Sequence, residues 1–377
     1  MRNVSLLRKR TKISAMRKYK TTGNTTLFDK EDTERKLTEM GDPLERLSKT
    51  VDFEMFRTEL EDALLPKERK SNAGAKRYDV VMMFKLMVLQ RYYNLSDEQA
   101  EFQIVDRTSF RRFLGLADGD RVPDARTIWL FRERLAKSGK VGDLFQRFVD
   151  YLNGKGLIFN EGRMIDASFV SVPKQRNTPD ENKRIKSGEG EGLWKPEEGD
   201  SEEDVRHKAN KKRHKDTDAR WTQKGGQNYF GYKNHIKGDT KSKLILTQEV
   251  TPASVHDSQP MDTLLMDSDK GQPLFADSAY VGQEETLEKY HVKDEICEKG
   301  YRGHPLTEEQ RETNREKSRT RSRVEHIFGF MENTMHRLYI RTVGLARATA
   351  VIGLINLTYN MSRYEQIVRL NLIEVKN

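Results

Sequence analysis

At residue 157 the sequence changes its period, and the order of elements after that point restricts the fold more than any other feature. Upstream, apolar residues recur at helical spacing; downstream, short apolar or alternating runs are separated by turns. "LIFNEGRMIDASFVSV" reads as two strands around Asn160, Glu161 and Gly162. "QNYFGYKNHIKGD" (227–239) and "SKLILTQEVTPAS" (242–254) read as a hairpin turning at Gly238 and Asp239. "HDSQPMDTLLMDS" reads as a helix capped by Asp257 or Ser258, with Pro260 in its first turn. "PLFADSAYVG" (273–282) is a strand running into a loop, "QEETLEKYHV" (283–292) a helix, and 315–338 and 346–368 are two long helices. The order strand, insertion, strand, strand, helix, strand, helix, helix is that of an α/β, RNase H-like core, a mixed central sheet flanked by helices. There the first strand and a later one lie side by side at the sheet centre.

Asp166 sits inside the first of these strands, among Met164, Ile165, Phe169 and Val170. Asp277 ends the later strand. Glu325 lies on a helix whose Val324, Ile327 and Phe328 form a face able to dock on the sheet. Carboxylates gathered in a partly buried place repel one another unless a cation joins them. Hard oxygen ligands suit magnesium or manganese, and two such ions support in-line phosphoryl transfer. Taken singly, such an acid is more often a cap, a turn residue or half of an ion pair than a metal ligand. Asp257 competes, but its place before Pro260 explains it as a helix cap; Glu284, Glu285 and Glu288 read as a solvated helix face. The eight histidines and Cys297 show no metal-ligand spacing.

Charge points to the partner. A net charge of +9 and a pI near 9.3 favour a polyanion, with nucleic acid the first choice. At 377 residues the chain calls for two or three modules. Residues 1–20 carry eight Lys or Arg and no acid, so 1–48 reads as a flexible basic arm. Residues 49–155 read as an all-α, helix-turn-helix-like DNA-binding region, and 156–377 as the catalytic domain. The helical region includes a buried helix at 80–93, a Ser96/Gln99 capping box, a helix stopped by Gly115, and one capped by Asp124 with Ile128, Phe131 and Leu135 on one face. A charged insertion, 174–225, is Glu/Gly-rich at 188–204 and Lys/His-rich at 206–215, and reads as a mobile loop. The expected DNA contacts are Arg111, Arg112, Arg126 and Arg132 in the helical region, Lys174 and Lys233 near the first strands, and Arg319, Arg321 and Arg323 before the third acid. The lone cysteine suits a reducing cytoplasm, and no apolar run is long enough to span a membrane.

Together, "VPDARTIWLFRERL", "MIDASFV", "GYKNHI", "ASVHDSQ", "ADSAYVG" and "RSRVEHIFGFM" resemble the DDE transposases of bacterial insertion sequences, in the branch named after insertion sequence five. The resemblance implies that Asp166, Asp277 and Glu325 are the catalytic, metal-holding triad, with Mg2+ (or Mn2+ in its place), two ions per site. It implies double-stranded DNA as partner: terminal inverted repeats to be bound and cut, and target DNA to be joined to the freed 3′-hydroxyl. It also implies a homodimer or larger assembly on DNA, with no membrane and no nucleotide cofactor. Arg321 matches the arginine of the pattern around the third acid; the tyrosine and lysine places hold Ser318 and Glu332 instead. Two alternatives stay open: an RNase H-like nuclease or recombinase on branched DNA, and a non-catalytic DNA-binding derivative.

Overall fold

The computed structural model describes residues 27–65 and 76–375. The basic run at 1–20 lies outside the described residues. The chain divides into two compact units, Met1–Asp42 and Pro43–Asn377. In the first, α1 (Asp29–Glu39) carries acids in its first turn and buries none of its residues. The sequence reading extended the basic arm to residue 48. In fact Pro43–Thr50 is helix α2, and its Leu44 and Leu47 belong to the core.

In the second unit α2 is followed by a 3-10 turn (Phe53–Phe56), α3 (Arg57–Leu64), α4 (Val80–Tyr92), α5 (Asp97–Asp106), α6 (Thr108–Leu114), α7 (Ala125–Ser138) and α8 (Val141–Gly154). Local chemistry sets their ends. Asp79 accepts from the amides of Val81 and Met82 at the start of α4. Ser96 and Gln99 form a full capping box on α5, Asp124 caps α7 through the Thr127 amide at 2.6 Å, and Gly115 closes α6 in the left-handed conformation. Helix α4 is buried nearly all round, as its unbroken apolar sequence requires.

The sheet comprises β1 (Arg163–Ser171), then, after α9 (Pro179–Lys186) and α10 (Glu202–His214), β2 (Arg220–Lys224), β3 (Gln227–Asp239) and β4 (Ile245–Pro252). After α11 (Met261–Leu264) come β5 (Pro273–Ala276), α12 (Glu284–Lys289) and β6 (Lys293–Ile296), then α13 (Glu308–Arg321), α14 (Arg323–Asn333) and α15 (Leu345–Leu370). The strand order is β2-β3-β1-β5-β6, with β4 also on β3. β1 is antiparallel to β3 and parallel to β5, which is parallel to β6. β1 therefore lies at the junction of the antiparallel and parallel halves, and the fold is an RNase H-like core.

Helix α15 holds the unit together. It packs on α2, α4, α7 and α8 and on β4, so the upstream helices and the sheet share one hydrophobic core. Its buried Ile352, Leu354, Leu357 and Ile367 each stabilise by about 1.5–3 kcal/mol on burial. Asn356 exchanges hydrogen bonds with Asn234 of β3, and Asn360 pairs with both backbone groups of Ile245 in β4. These bonds satisfy polar groups that burial would otherwise penalise. No helix among the described residues is long and apolar enough to cross a membrane.

Several sequence expectations need correction. Only one strand forms at 157–172: Leu157 is core, and the Phe159 amide donates to Asp239 instead of to a strand partner. Gly238 and Asp239 end β3, and the turn follows them, built by the Asp239 carboxylate accepting from the amides of Lys241 and Ser242. α11 is a single turn with no side-chain cap. The long helix expected at 315–338 is two helices joined at Ser322, whose hydroxyl donates to the Arg319 carbonyl at 3.2 Å.

The insertion is folded. Thr178/Glu181 and Ser201/Asp204 form capping boxes on α9 and α10. Ile185 and Leu193 are buried. The Glu181 carboxylate accepts from the Trp194 indole at 2.9 Å and pairs with Lys215 at 2.9 Å and Lys211 at 3.3 Å. A few buried contacts and one carboxylate hub thus order a segment whose composition alone reads as loop.

Candidate functional site

The parallel pairing of β1 with β5 sets Arg163 opposite Leu274 and Met164 opposite Phe275. The same offset, carried on to Asp166, arrives at Asp277 one residue past the end of β5. Two carboxylates thus stand level on neighbouring central strands, Asp166 within β1 and Asp277 just past the end of β5. Asp166 accepts from the Ala167 amide at 2.8 Å, and Asp277 from the Ala279 amide at 2.9 Å, capping a short 3-10 turn. Burial pushes the Asp166 carboxyl up to about 6, and the charge of Asp277 adds to the shift; the Ala167 amide, Arg321 and Lys224 oppose it.

Glu325 lies in the first turn of α14, which packs on β1 through Val324, Ile327 and Met331. Its side chain is 63% exposed. Arg321, from the last turn of α13, lies 3.6 Å from Asp166 and 3.1 Å from Glu325. The sheet therefore brings Asp166 and Asp277 together, while a guanidinium bridges from Asp166 to Glu325. Among the described residues no three His, Cys, Asp or Glu side chains are gathered closely enough to cage a metal ion.

Three neighbours escaped the sequence reading. Among the described residues the fully buried Tyr280 hydroxyl has no hydrogen-bond partner, and burial together with Asp166, Asp257 and Asp277 holds its phenol well above the usual range. Asp257 is not a helix cap: it pairs with Lys233 at 2.7 Å and lies 3.9 Å from Lys224. Its position in "ASVHDSQ" was a usable signal that the helix-cap reading set aside. Lys224 faces Asp166 from the end of β2.

The basic residues fall into two groups. Lys233 is buried, held by Asp257 and the Val255 carbonyl, so it does not line an open channel. Arg132 is bound by both oxygens of Asp97, Arg112 pairs with Glu45 at 3.1 Å, and Arg111 closes the loop after α6 through the carbonyls of Ala117 and Asp120. These four side chains hold the fold. Arg126, Lys174, Arg319 and Arg323 are exposed; Lys174 lies over the Trp221 ring at 5.7 Å, and Arg323 donates to the Thr240 carbonyl at 3.0 Å.

The RNase H-like sheet sets Asp166, within its central strand, level with Asp277 just past the neighbouring strand, so two acids converge on one place. The family described as "Transposase DDE domain" matches residues 159–361, and a second, "Transposase domain (DUF772)", matches residues 31–134. The chain belongs to the DDE transposases, metal-dependent enzymes that cut DNA. A solved structure, the piggyBac transposase in a synaptic complex with hairpin DNA, is similar at 11% identity and a TM-score of 0.38, over 91% of this chain and 79% of that chain.

Proposed function

We propose that this transposase acts on an insertion sequence of the insertion-sequence-five kind, with Asp166, Asp277 and Glu325 as its catalytic and metal-holding acids. The observation that carries the reading is the level placement of Asp166 and Asp277, with Arg321 linking Asp166 to the helix that bears Glu325.

The donor set fits divalent metal. All three side chains offer hard oxygens, and Asp166, raised to about 6 by burial and by Asp277, is a carboxylate that gains from a cation beside it. When bound, two Mg2+ or Mn2+ ions would supply an activated hydroxyl nucleophile and stabilise the leaving oxygen. The chain's own part is positional. β1 and β5 fix two acids on a rigid sheet, and α14 delivers the third with its apolar face docked. Arg321 balances the acids until DNA arrives and then offers its fork to a phosphate oxygen. Arg126, Arg319, Arg323 and Lys174 are exposed and available to the DNA backbone.

The reaction read from this site is cleavage at the element's terminal inverted repeats, followed by attack of the freed 3′-hydroxyl on target DNA. Joining two ends requires at least a dimer on DNA, working on the nucleoid in the cytoplasm. The test uses a supercoiled plasmid carrying the gene with its flanking DNA. Wild type with Mg2+ should nick at the element ends; Asp166→Asn, Asp277→Asn and Glu325→Gln should each abolish nicking while leaving repeat binding within a few-fold. Full cleavage by any of the three removes that residue from the triad.

A further inference from the structure

We propose that the cavity beside Glu325 is a phosphodiester-binding pocket for the DNA strand, with Lys243 and Arg363 as its anion contacts. The inference rests on the reading of Glu325 as part of the DNA-cutting site.

The cavity measures about 680 Å³. One wall is the face of α14 that carries Glu325, Gly329 and Asn333, spaced by four residues. The other is the face of α15 that carries Tyr359, Arg363 and Gln366. Lys243 enters from the β3–β4 turn. It holds a left-handed backbone, φ +61°, which disfavours a side chain with a β-carbon. That conformation is pinned on both sides: the Lys243 amide donates to the Asp239 carbonyl at 3.0 Å, and the buried Tyr359 hydroxyl donates to the Lys243 carbonyl at 2.7 Å. The turn is thus fixed in a strained form that presents a lysine to the cavity.

The charges around the cavity ask for an anion. Three lysines of β3 and its turn each meet an acid: Lys233 meets Asp257, Lys237 meets Asp269, and Lys241 meets Glu161. Lys243, two residues further on, meets Arg363 and Arg323 instead, and burial and these two cations together hold its amine below the usual range. Arg363 spends its guanidinium on the Ser242 carbonyl and the Gln366 side-chain oxygen, both uncharged. The nearest acid on the cavity wall, Glu325, is drawn by Arg321. Like charges held together without a carboxylate cost stability, and a phosphate oxygen removes that cost. A strand whose scissile bond lies at Glu325 would carry its next phosphates past this pocket.

The test compares full-length wild type with Lys243→Gln, Lys243→Arg and, as control, Lys241→Gln. Each is titrated with a duplex carrying the gene's flanking DNA over a range of salt. Lys243→Gln should weaken binding about 3- to 10-fold and lower the salt slope by roughly one, as expected for one lost phosphate contact. Lys243→Arg should restore both, and Lys241→Gln should leave both at the wild-type value. Without DNA, Lys243→Gln should melt no lower than wild type, because it removes a repulsion. Duplex binding by Lys243→Gln equal to wild type overturns the proposal, as does an Arg variant no better than the Gln variant. So does inorganic phosphate raising the melting temperature of wild type and not of Lys243→Gln while duplex binding stays equal; the pocket then serves free phosphate. A wild-type protein that neither binds nor cuts the duplex overturns the functional reading itself, whatever Lys243 does.

Discussion

Arg321 stands 3.6 Å from the carboxylate of Asp166 and reaches Glu325 on its other side at 3.1 Å. One guanidinium thereby counters the charge that the sheet concentrates at Asp166 and Asp277. Arg321→Ala should destabilise the metal-free protein by about 1–2 kcal/mol, the range for a half-buried charge that loses its partner. Added Mn2+ should then raise the melting temperature of the variant by more than it raises that of wild type. Equal increments in the two proteins would show that Arg321 and the cation do not answer the same charges.

Asp166 gives a pH dependence with a definite sign. Its carboxyl titrates near 3.8 when exposed and about 6 in the fold, so the folded state binds the extra proton between those values. The stabilisation is complete below about 3.8 and is lost as pH rises through about 6. At about 1.4 kcal/mol per unit, ionisation costs the metal-free protein up to ~3 kcal/mol at neutral pH. Asp166→Asn should therefore melt higher than wild type at pH 7, and the gain should vanish near pH 4. Calorimetry at the two pH values checks this, and an Asn variant less stable at pH 7 would contradict it.

Glu181 has the opposite sign. Although its partial burial alone would raise the carboxyl, Lys215, the Thr178 amide, Trp194 and Lys211 hold it near 2, below its ordinary 4.5. Its contribution is present above about 4.5 and is lost as pH falls toward 2. Limited proteolysis should cut the insertion of wild type faster at pH 3 than at pH 7. Glu181→Gln should be cut fast at both, with the sheet unaffected.

Asp216 joins three parts of the molecule. Its carboxylate accepts from the Tyr232 hydroxyl at 2.7 Å, from the amides of Asp218 and Ala219, and from the Gly344 amide just before α15. Tyr232→Phe removes one of these bonds and should cost about 1–2 kcal/mol in chemical denaturation. Asp216→Ala strands several buried donors and should cost about 3–5 kcal/mol. Similar losses for the two would mean that Tyr232 holds most of the energy.

What the sequence disclosed, and what it hid, follows from range. Asp166 was visible because a carboxylate among Ile165, Phe169 and Val170 violates the strand's own pattern. The caps at Ser96, Asp124 and Gly115 were visible because a cap and its partner lie within one turn. Lys233 and Arg132 read as DNA contacts because the acids that hold them, Asp257 and Asp97, are 24 and 35 residues away. The insertion was misread because its order depends on Glu181 meeting Lys211 and Lys215 across a 30-residue gap, and composition carries no trace of that meeting. α13 and α14 meet at Ser322, and helical periodicity runs through that junction unmarked.

Helix α15 sets a timetable for synthesis. β1 leaves the ribosome early, but its support on the far side of β4 comes from residues 345–370. Until those residues are made, the sheet lacks its largest packing partner, and the cavity beside Glu325 lacks the wall that carries Arg363. A nascent chain halted before residue 345 would already carry Asp166, Asp277 and Glu325 but would lack both that wall and the main cover of the sheet.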